Sequence, residues 1–134
     1  MARTKITVQS VAMNAGAARA TGTTADPTNG HYLAVADLYP ETVPVQRGAR
    51  LLVLEVYNTD SADHNLTIKA GANPPAQRAS LGDLVVLVAH SATIPFIFGG
   101  LESARFLQAD GTVNIDLAAS FAGTIYAYVL NKSV

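Results

Sequence analysis

The sequence predicts an all-β protein, an antiparallel β-sandwich or jelly-roll-like barrel with an extended N-terminal arm. Three observations support this fold class. Short apolar segments recur at intervals of about 8–12 residues, turn-forming residues separate them, and no segment has the 3.6-residue apolar period of a surface helix. With 134 residues, the chain is long enough for one domain with its own core.

The N-terminal region differs from the rest in composition. A first strand is predicted at 6–11, and residues 11–31 are rich in Ala, Gly and Thr. Gly16, Gly22 and the Thr cluster oppose a helix there, and no apolar stripe exists to dock one. We therefore divide the single globular domain into a strand and arm at 1–31 and a β-sandwich at 32–134. If the arm is a clamp, deleting residues 1–25 is expected to leave the fold intact and to weaken attachment.

The sandwich strands are predicted at 51–57, 65–69, 83–89, 93–98, 104–108, 112–117 and 123–130. Turn-forming clusters at 58–61 and 71–75 and the Gly99-Gly100 pair separate them. Pro95 indicates that 93–98 lies at a sheet edge or a bulge. Asp110-Gly111, between 104–108 and 112–117, is a strong hairpin signal.

Some predicted strands are apolar on one face and others on both. The strand at 112–117 alternates cleanly, whereas those at 51–57, 84–88, 94–98 and 125–130 have apolar residues on both faces. A two-sheet sandwich buries one face of each sheet, so the arm, the segment 34–50 or another chain must cover the second faces. A subunit interface is the favoured interpretation. Its candidate residues are Leu51, Val53, Tyr57, Leu87, Ile94, Phe96, Phe98, Tyr126 and Tyr128.

Composition excludes several classes of protein and of site. Without Cys, the chain has no disulfide, thiolate zinc site or cysteine nucleophile. A net charge of −1 gives no basic footprint for nucleic acid, and no apolar run is long enough for a membrane span. The residues after Arg3 and Lys5 are too polar for a signal-peptide core, which predicts synthesis in the cytoplasm without secretion by a signal peptide.

The polar residues give weak indications of chemistry. Asp60, Asp63 and His64 could ligate a divalent cation, but Asp and Ser also dominate ordinary turns, which is the favoured interpretation. No catalytic motif is found, so no catalytic residue, metal or cofactor is predicted, and the protein is not expected to be an enzyme. The five Tyr residues could form a sugar-stacking platform, although packing in a core or an interface is favoured.

Four segments together resemble a known family. They are Asn58-Thr59-Asp60-Ser61-Ala62-Asp63-His64-Asn65-Leu66-Thr67-Ile68-Lys69-Ala70-Gly71, Gly82-Asp83-Leu84-Val85-Val86, Leu101-Glu102-Ser103-Ala104-Arg105-Phe106-Leu107-Gln108-Ala109-Asp110-Gly111 and Phe121-Ala122-Gly123-Thr124. They are similar to small β-sandwich head decoration (capsid cement) proteins of tailed bacteriophages, notably those of actinobacteria. The resemblance covers roughly residues 4–131. The segments 84–90 and 94–98 depart from it, because they are more apolar than the family pattern leads us to expect.

The resemblance implies a structural, non-enzymatic virion protein on the outer capsid surface. Its partners would be the major capsid protein and further copies of itself, with a trimer favoured, and it would stabilise the capsid through apolar subunit interfaces. Two alternatives remain open. One is a self-assembling homo-oligomeric particle, engineered or natural, and the other is a carbohydrate-binding β-sandwich module.

Overall fold

Two packed β-sheets make up the fold. The computed structural model describes residues 2–11, 16–34, 50–72, 79–99 and 103–131. Its strands are β1 (Thr4–Lys5), β2 (Val8–Val11), β3 (Thr23–Thr24), β4 (His31–Ala34), β5 (Arg50–Asn58), β6 (His64–Ile68), β7 (Leu84–Val88), β8 (Phe96–Phe98), β9 (Thr112–Leu117) and β10 (Gly123–Asn131). A 3-10 turn spans Ala79–Leu81, and one helical turn, α1, spans Ser103–Phe106.

The first sheet has the strand order β1-β4-β9-β6-β7, and the second has the order β2-β10-β5-β8, with β3 also pairing with β10. Each sheet contains one parallel pair, β1 with β4 and β2 with β10, and the other pairs are antiparallel. The all-β sandwich is therefore confirmed, with mixed rather than purely antiparallel sheets. The jelly-roll-like connectivity stays a prediction.

The core lies between the sheets and follows the alternation of the strands. In β9 the buried residues are Val113, Ile115 and Leu117, as the sequence predicts. Alternate residues of β5 and β10 pack against them from the second sheet. Since side chains alternate across a strand, the remaining residues of β5 and β10 lie on the outer face of the second sheet.

The N-terminal residues are part of the sandwich. The strand predicted at 6–11 is present as the shorter β2, which joins the second sheet, and an unpredicted strand, β1, precedes it and joins the first. Ile6, at the crossing between them, is fully buried in the core. Residues within the predicted arm form β3, and β4 begins at His31, so a boundary between residues 31 and 32 cuts through a strand. Deleting residues 1–25 would remove β1, β2, β3 and the buried Ile6, so on this structure we expect the deletion to destabilise the sandwich.

The prediction of a strand at 104–108 is wrong. Residues Ser103–Phe106 form α1, and only Leu107 bridges to β9, opposite Val113. This helical turn is held by tertiary contacts, since Phe106 is buried and the Arg105 carbonyl accepts a hydrogen bond from Gly71 N at 2.9 Å. The predicted turn at Asp110-Gly111 is confirmed, with Gly111 at a φ of 82° leading into β9.

Candidate interaction surfaces

The outer face of the second sheet carries four of the predicted interface residues. Val53 and Tyr57 come from β5, and Tyr126 and Tyr128 come from β10. The register places Tyr128 opposite Val53 and Tyr126 opposite Glu55. All four side chains are half-buried, although they point away from the core.

Arg19 of the N-terminal arm covers this face. Its Nη1 donates to Glu55 Oε1 at 2.6 Å and to the Tyr57 hydroxyl at 3.1 Å. Its guanidinium carbon lies 3.9 Å from the centroid of the Tyr126 ring, which is a cation–π geometry. Burial, followed by the nearby Glu55 carboxylate, raises the pKa of Tyr128, whose hydroxyl donates to Glu55 Oε2 at 3.2 Å. One arm residue thus binds three polar or aromatic groups of β5 and β10.

Two further contacts fix the arm to the sheet. Gln9 of β2 donates through Nε2 to Ala18 O at 2.7 Å, and its Oε1 accepts from Ala20 N at 2.9 Å. Gly22 lies against Tyr126 so closely that a Cβ there would be 2.7 Å from a ring carbon. The chain's own arm therefore covers this outer face, which is one of the three kinds of cover that the sequence leaves open.

The arm bears on the prediction that these tyrosines form a subunit interface or a sugar-stacking platform. Tyr57 and Tyr126 contact Arg19 of the arm, Tyr128 shares the Glu55 carboxylate with Arg19, and Val53 lies opposite Tyr128. The Tyr57 and Tyr126 rings meet edge to face, with an interplanar angle of 77°, so they do not form a flat platform for sugar rings. Tyr39 lies outside the described residues, as does the side chain of Leu51.

The second apolar surface is an edge of the sandwich. β7 ends the first sheet and β8 ends the second, and residues 89–95 join them. Four large apolar side chains are exposed there: Val85 by 56%, Leu87 by 57%, Ile94 by 71% and Ile97 by 54%. We call β7, residues 89–95 and β8 the apolar flank. The sequence prediction identifies Leu87 and Ile94, but it misses Val85 and Ile97.

The register of β8 corrects two predicted interface residues. Phe98 is 6% exposed and belongs to the core, and Phe96 packs against that core. Both alternate with Ile97, which lies opposite Glu55 and shares its outward orientation. The sequence shows this alternation but not its direction. Only the pairing with β5 decides which of the two sets faces the core.

The apolar flank is ordered and uncharged. Residues 84–99 contain no Asp, Glu, Lys or Arg. Ser91 Oγ accepts hydrogen bonds from Thr93 N and Ile94 N, and Ser91 N donates to Asn58 O, which fixes the turn that exposes Ile94. Charged residues commonly protect edge strands from pairing with other chains. Within the described part of the chain, no strand pairs with the outer edge of β7.

The candidate cation ligands form two separate pairs. His64 Nε2 lies 2.5 Å from Asp60 Oδ2, and His90 Nδ1 lies 2.6 Å from Asp63 Oδ1. The hydrogen bond with His64 lowers the pKa of Asp60, and the backbone hydrogen bond from His90 lowers that of Asp63. Among the described residues, no three His, Asp or Glu side chains are grouped as a metal site requires.

No helix in the described ranges is both long enough and apolar enough to cross a membrane. Comparison of the chain with protein-family models, with curated proteins and with solved structures finds no match. The surfaces described above are therefore the basis for a functional proposal, together with the family resemblance of the sequence.

Proposed function

We propose that this chain is a structural protein that binds other protein subunits through its apolar flank. The observation that supports this most directly is the exposure of four aliphatic side chains along one edge of the sandwich: Val85 and Leu87 on β7, Ile94 in the loop that follows it, and Ile97 on β8. Val85 and Leu87 lie on the outer face of the first sheet and Ile97 on that of the second, so this aliphatic surface extends around the edge of the sandwich. Exposed aliphatic side chains on an edge without Asp, Glu, Lys or Arg are typical of a protein–protein interface. The resemblance to capsid decoration proteins suggests what the subunits are: further copies of this chain and a capsid protein.

The energetics favour binding of this chain to several subunits of an array over binding to a single partner. Complete burial of one Val, Leu or Ile side chain stabilises by about 1.5–3 kcal/mol. Because more than half of each of these four side chains is exposed, burying the rest would contribute a gross total of about 4–7 kcal/mol, and this would require contacts on both outer faces of the sandwich. Association costs about 4–15 kcal/mol in lost freedom of motion. A single patch therefore binds weakly, while several patches acting together, as in a trimer on a lattice, bind strongly.

The first test is the mass of the native protein. Native mass spectrometry of the full chain should show a homo-oligomer, and the resemblance favours three 14.0 kDa subunits. Leu87→Asp should dissociate it without a large change in melting temperature, because Leu87 is exposed on the isolated subunit. Leu130→Asp is the matched control, since Leu130 is also an exposed Leu but lies on β10, away from the apolar flank.

The second test is attachment to capsids. Heads of the phage that encodes this chain are first stripped of the protein. The wild-type chain should then co-sediment with these heads, and Leu87→Asp should reduce the bound fraction at least tenfold. A chain that stays monomeric at high concentration and does not sediment with heads would overturn the proposal. Equal behaviour of Leu87→Asp and Leu130→Asp would also overturn the assignment to the apolar flank.

A further inference from the structure

An open groove lies on the outer face of the first sheet, at the opposite end of that sheet from the apolar flank. It encloses about 500 Å³ where β1, β4 and the start of β9 adjoin. Tyr32 of β4 and Asn114 of β9 are cross-strand partners on its floor. The described residues that line it are Ala2, Arg3, Tyr32, Asp110, Thr112 and Asn114. Most of these side chains are polar, and one is aromatic.

Arg3 is held in place by the strands beside it. Its Nη1 donates to Asp116 Oδ1 at 2.5 Å and to the carbonyl of Ile115 at 3.2 Å. Gly30 makes this path possible, since a Cβ at that position would lie 2.5 Å from Arg3 Nη1. The ion pair with Asp116 largely balances the charge of Arg3 at the groove.

The opposite wall is fixed by the turn before β9. Asp110 Oδ1 accepts hydrogen bonds from Thr112 N at 3.2 Å and from Thr112 Oγ1 at 2.6 Å. Among the hydrogen bonds between described residues, Asp110 uses only this one carboxylate oxygen. The Asp110 carboxylate and the Arg3 guanidinium are thus held in place beside Tyr32, and the Asn114 amide lies 3.4 Å from Thr112 Oγ1. Preorganised polar groups lower the cost of binding a small ligand.

We infer that this groove binds a neutral saccharide. A pyranose ring has an apolar face of C–H groups and a rim of hydroxyls, and these match the Tyr32 ring and the planar side chains of Asp110 and Asn114. The charge balance disfavours a phosphorylated or acidic sugar, because Arg3 is already paired and Asp110 is anionic. Tyr57, Tyr126 and Tyr128 lie beside or beneath the arm. Among the tyrosines that the structure describes, Tyr32 is therefore the one that lines an open groove.

This inference goes beyond the proposed structural function and does not depend on it. β1 and β7 are the opposite edges of the first sheet, so a partner that contacts the apolar flank need not cover the groove, although Val85 and Leu87 are on the same outer face as the groove. A protein assembled on a particle would then present one groove on every subunit. Many weak saccharide sites acting together bind a glycan-coated surface much more tightly than one site does.

The full-length chain should be screened on an array of neutral and acidic glycans. Binding should then be measured by NMR titration with the methyl glycosides of glucose, galactose, mannose and N-acetylglucosamine. We expect Tyr32→Phe to retain binding and Tyr32→Ala to lose at least tenfold in affinity, because stacking needs the ring and not the hydroxyl. Asn114→Ala should weaken binding, while Asn65→Ala, on the same outer face but on β6, should not.

Backbone NMR spectra of each variant verify the fold, and Asn114→Ala tests the groove independently if Tyr32→Ala is unfolded. The inference is overturned if no neutral glycan binds, if acidic glycans bind better than neutral ones, or if affinity survives both Tyr32→Ala and Asn114→Ala. None of these outcomes bears on oligomerisation, so the proposed function is tested separately.

Discussion

Mild acid should destabilise the fold through one buried imidazole. His31, at the start of β4, has no exposed surface. Its Nε2 accepts a hydrogen bond from Asp26 N at 2.9 Å, so this nitrogen carries no proton, and Nδ1 lies 3.2 Å from Thr4 O, to which it donates. The neutral ring satisfies both contacts, whereas a second proton on Nε2 would face the Asp26 N–H.

Burial lowers the pKa of His31 in the folded state, and the positive charge of Arg3 acts in the same direction, while Thr4 and Asp26 oppose it. In the unfolded chain the imidazole has an ordinary pKa of about 6.5. Below that pH the unfolded state takes up a proton that the folded state resists. The stability associated with neutral His31 is therefore present above about pH 6.5 and is lost as the pH falls toward the folded pKa. The slope reaches at most about 1.4 kcal/mol per pH unit for one proton.

Urea unfolding followed by circular dichroism between about pH 7.5 and 5 measures this slope. His31→Gln should lower stability at neutral pH and flatten the pH dependence. Measuring both proteins in a His64→Gln/His90→Gln background removes the two other imidazoles, so that the difference in slope reports on His31. Asp26 contributes only at lower pH, because hydrogen bonds, first of all from the Asn29 backbone, hold its pKa below the ordinary value. A wild-type stability that is constant from about pH 6.5 to 5, or an unchanged slope in His31→Gln, would refute the reasoning.

Three further predictions concern stability, and urea unfolding at neutral pH tests each. Gly123→Ala should destabilise by about 3–5 kcal/mol, because φ is +130° and the added Cβ would lie 1.9 Å from the Tyr57 carbonyl oxygen. Phe98→Ala should cost about 3–5 kcal/mol as a core truncation, while Ile97→Ala should cost only about 1 kcal/mol because half of its side chain is exposed; equal losses would contradict the register of β8. Asn58→Leu should cost about 1–3 kcal/mol, since Nδ2 donates to two carbonyl oxygens in a buried site; a neutral substitution would show that these bonds contribute little.

The strands that local pattern predicts best are the long ones in the middle of the sheets. β9 coincides with its predicted range because polar and apolar residues alternate without interruption, and β5 and β10 extend only slightly beyond theirs. The N-terminal strands were harder to predict because they are short and pair with strands far away in the sequence. β2 pairs with β10 through a register that joins Val8 to Ala127, and no local pattern encodes this contact.

The two apolar outer surfaces illustrate what the sequence alone does not predict. An apolar second face on a strand predicts that the face is covered, but it does not identify the segment or the partner chain that covers it. In the second sheet the cover comes from the same chain, because β2 and β3 both pair with β10 and the arm between them passes over that strand and β5. The decisive contacts involve single residues, such as Arg19 and Gly22, whose neighbours are set by the fold alone.

The geometry of the arm also explains why the apolar flank stays exposed. Its two ends are fixed on β2 and β3 beside β10, and its middle reaches as far as Glu55 and Tyr57 on β5. β7 belongs to the other sheet, and β8 lies one strand beyond β5. The described residues of the arm therefore cover the outer side of the central strands β10 and β5, but they do not reach the edge strands β7 and β8. The described residues thus cover aliphatic surface in one place and leave it open in another, which supports the proposal that the open part contacts another protein.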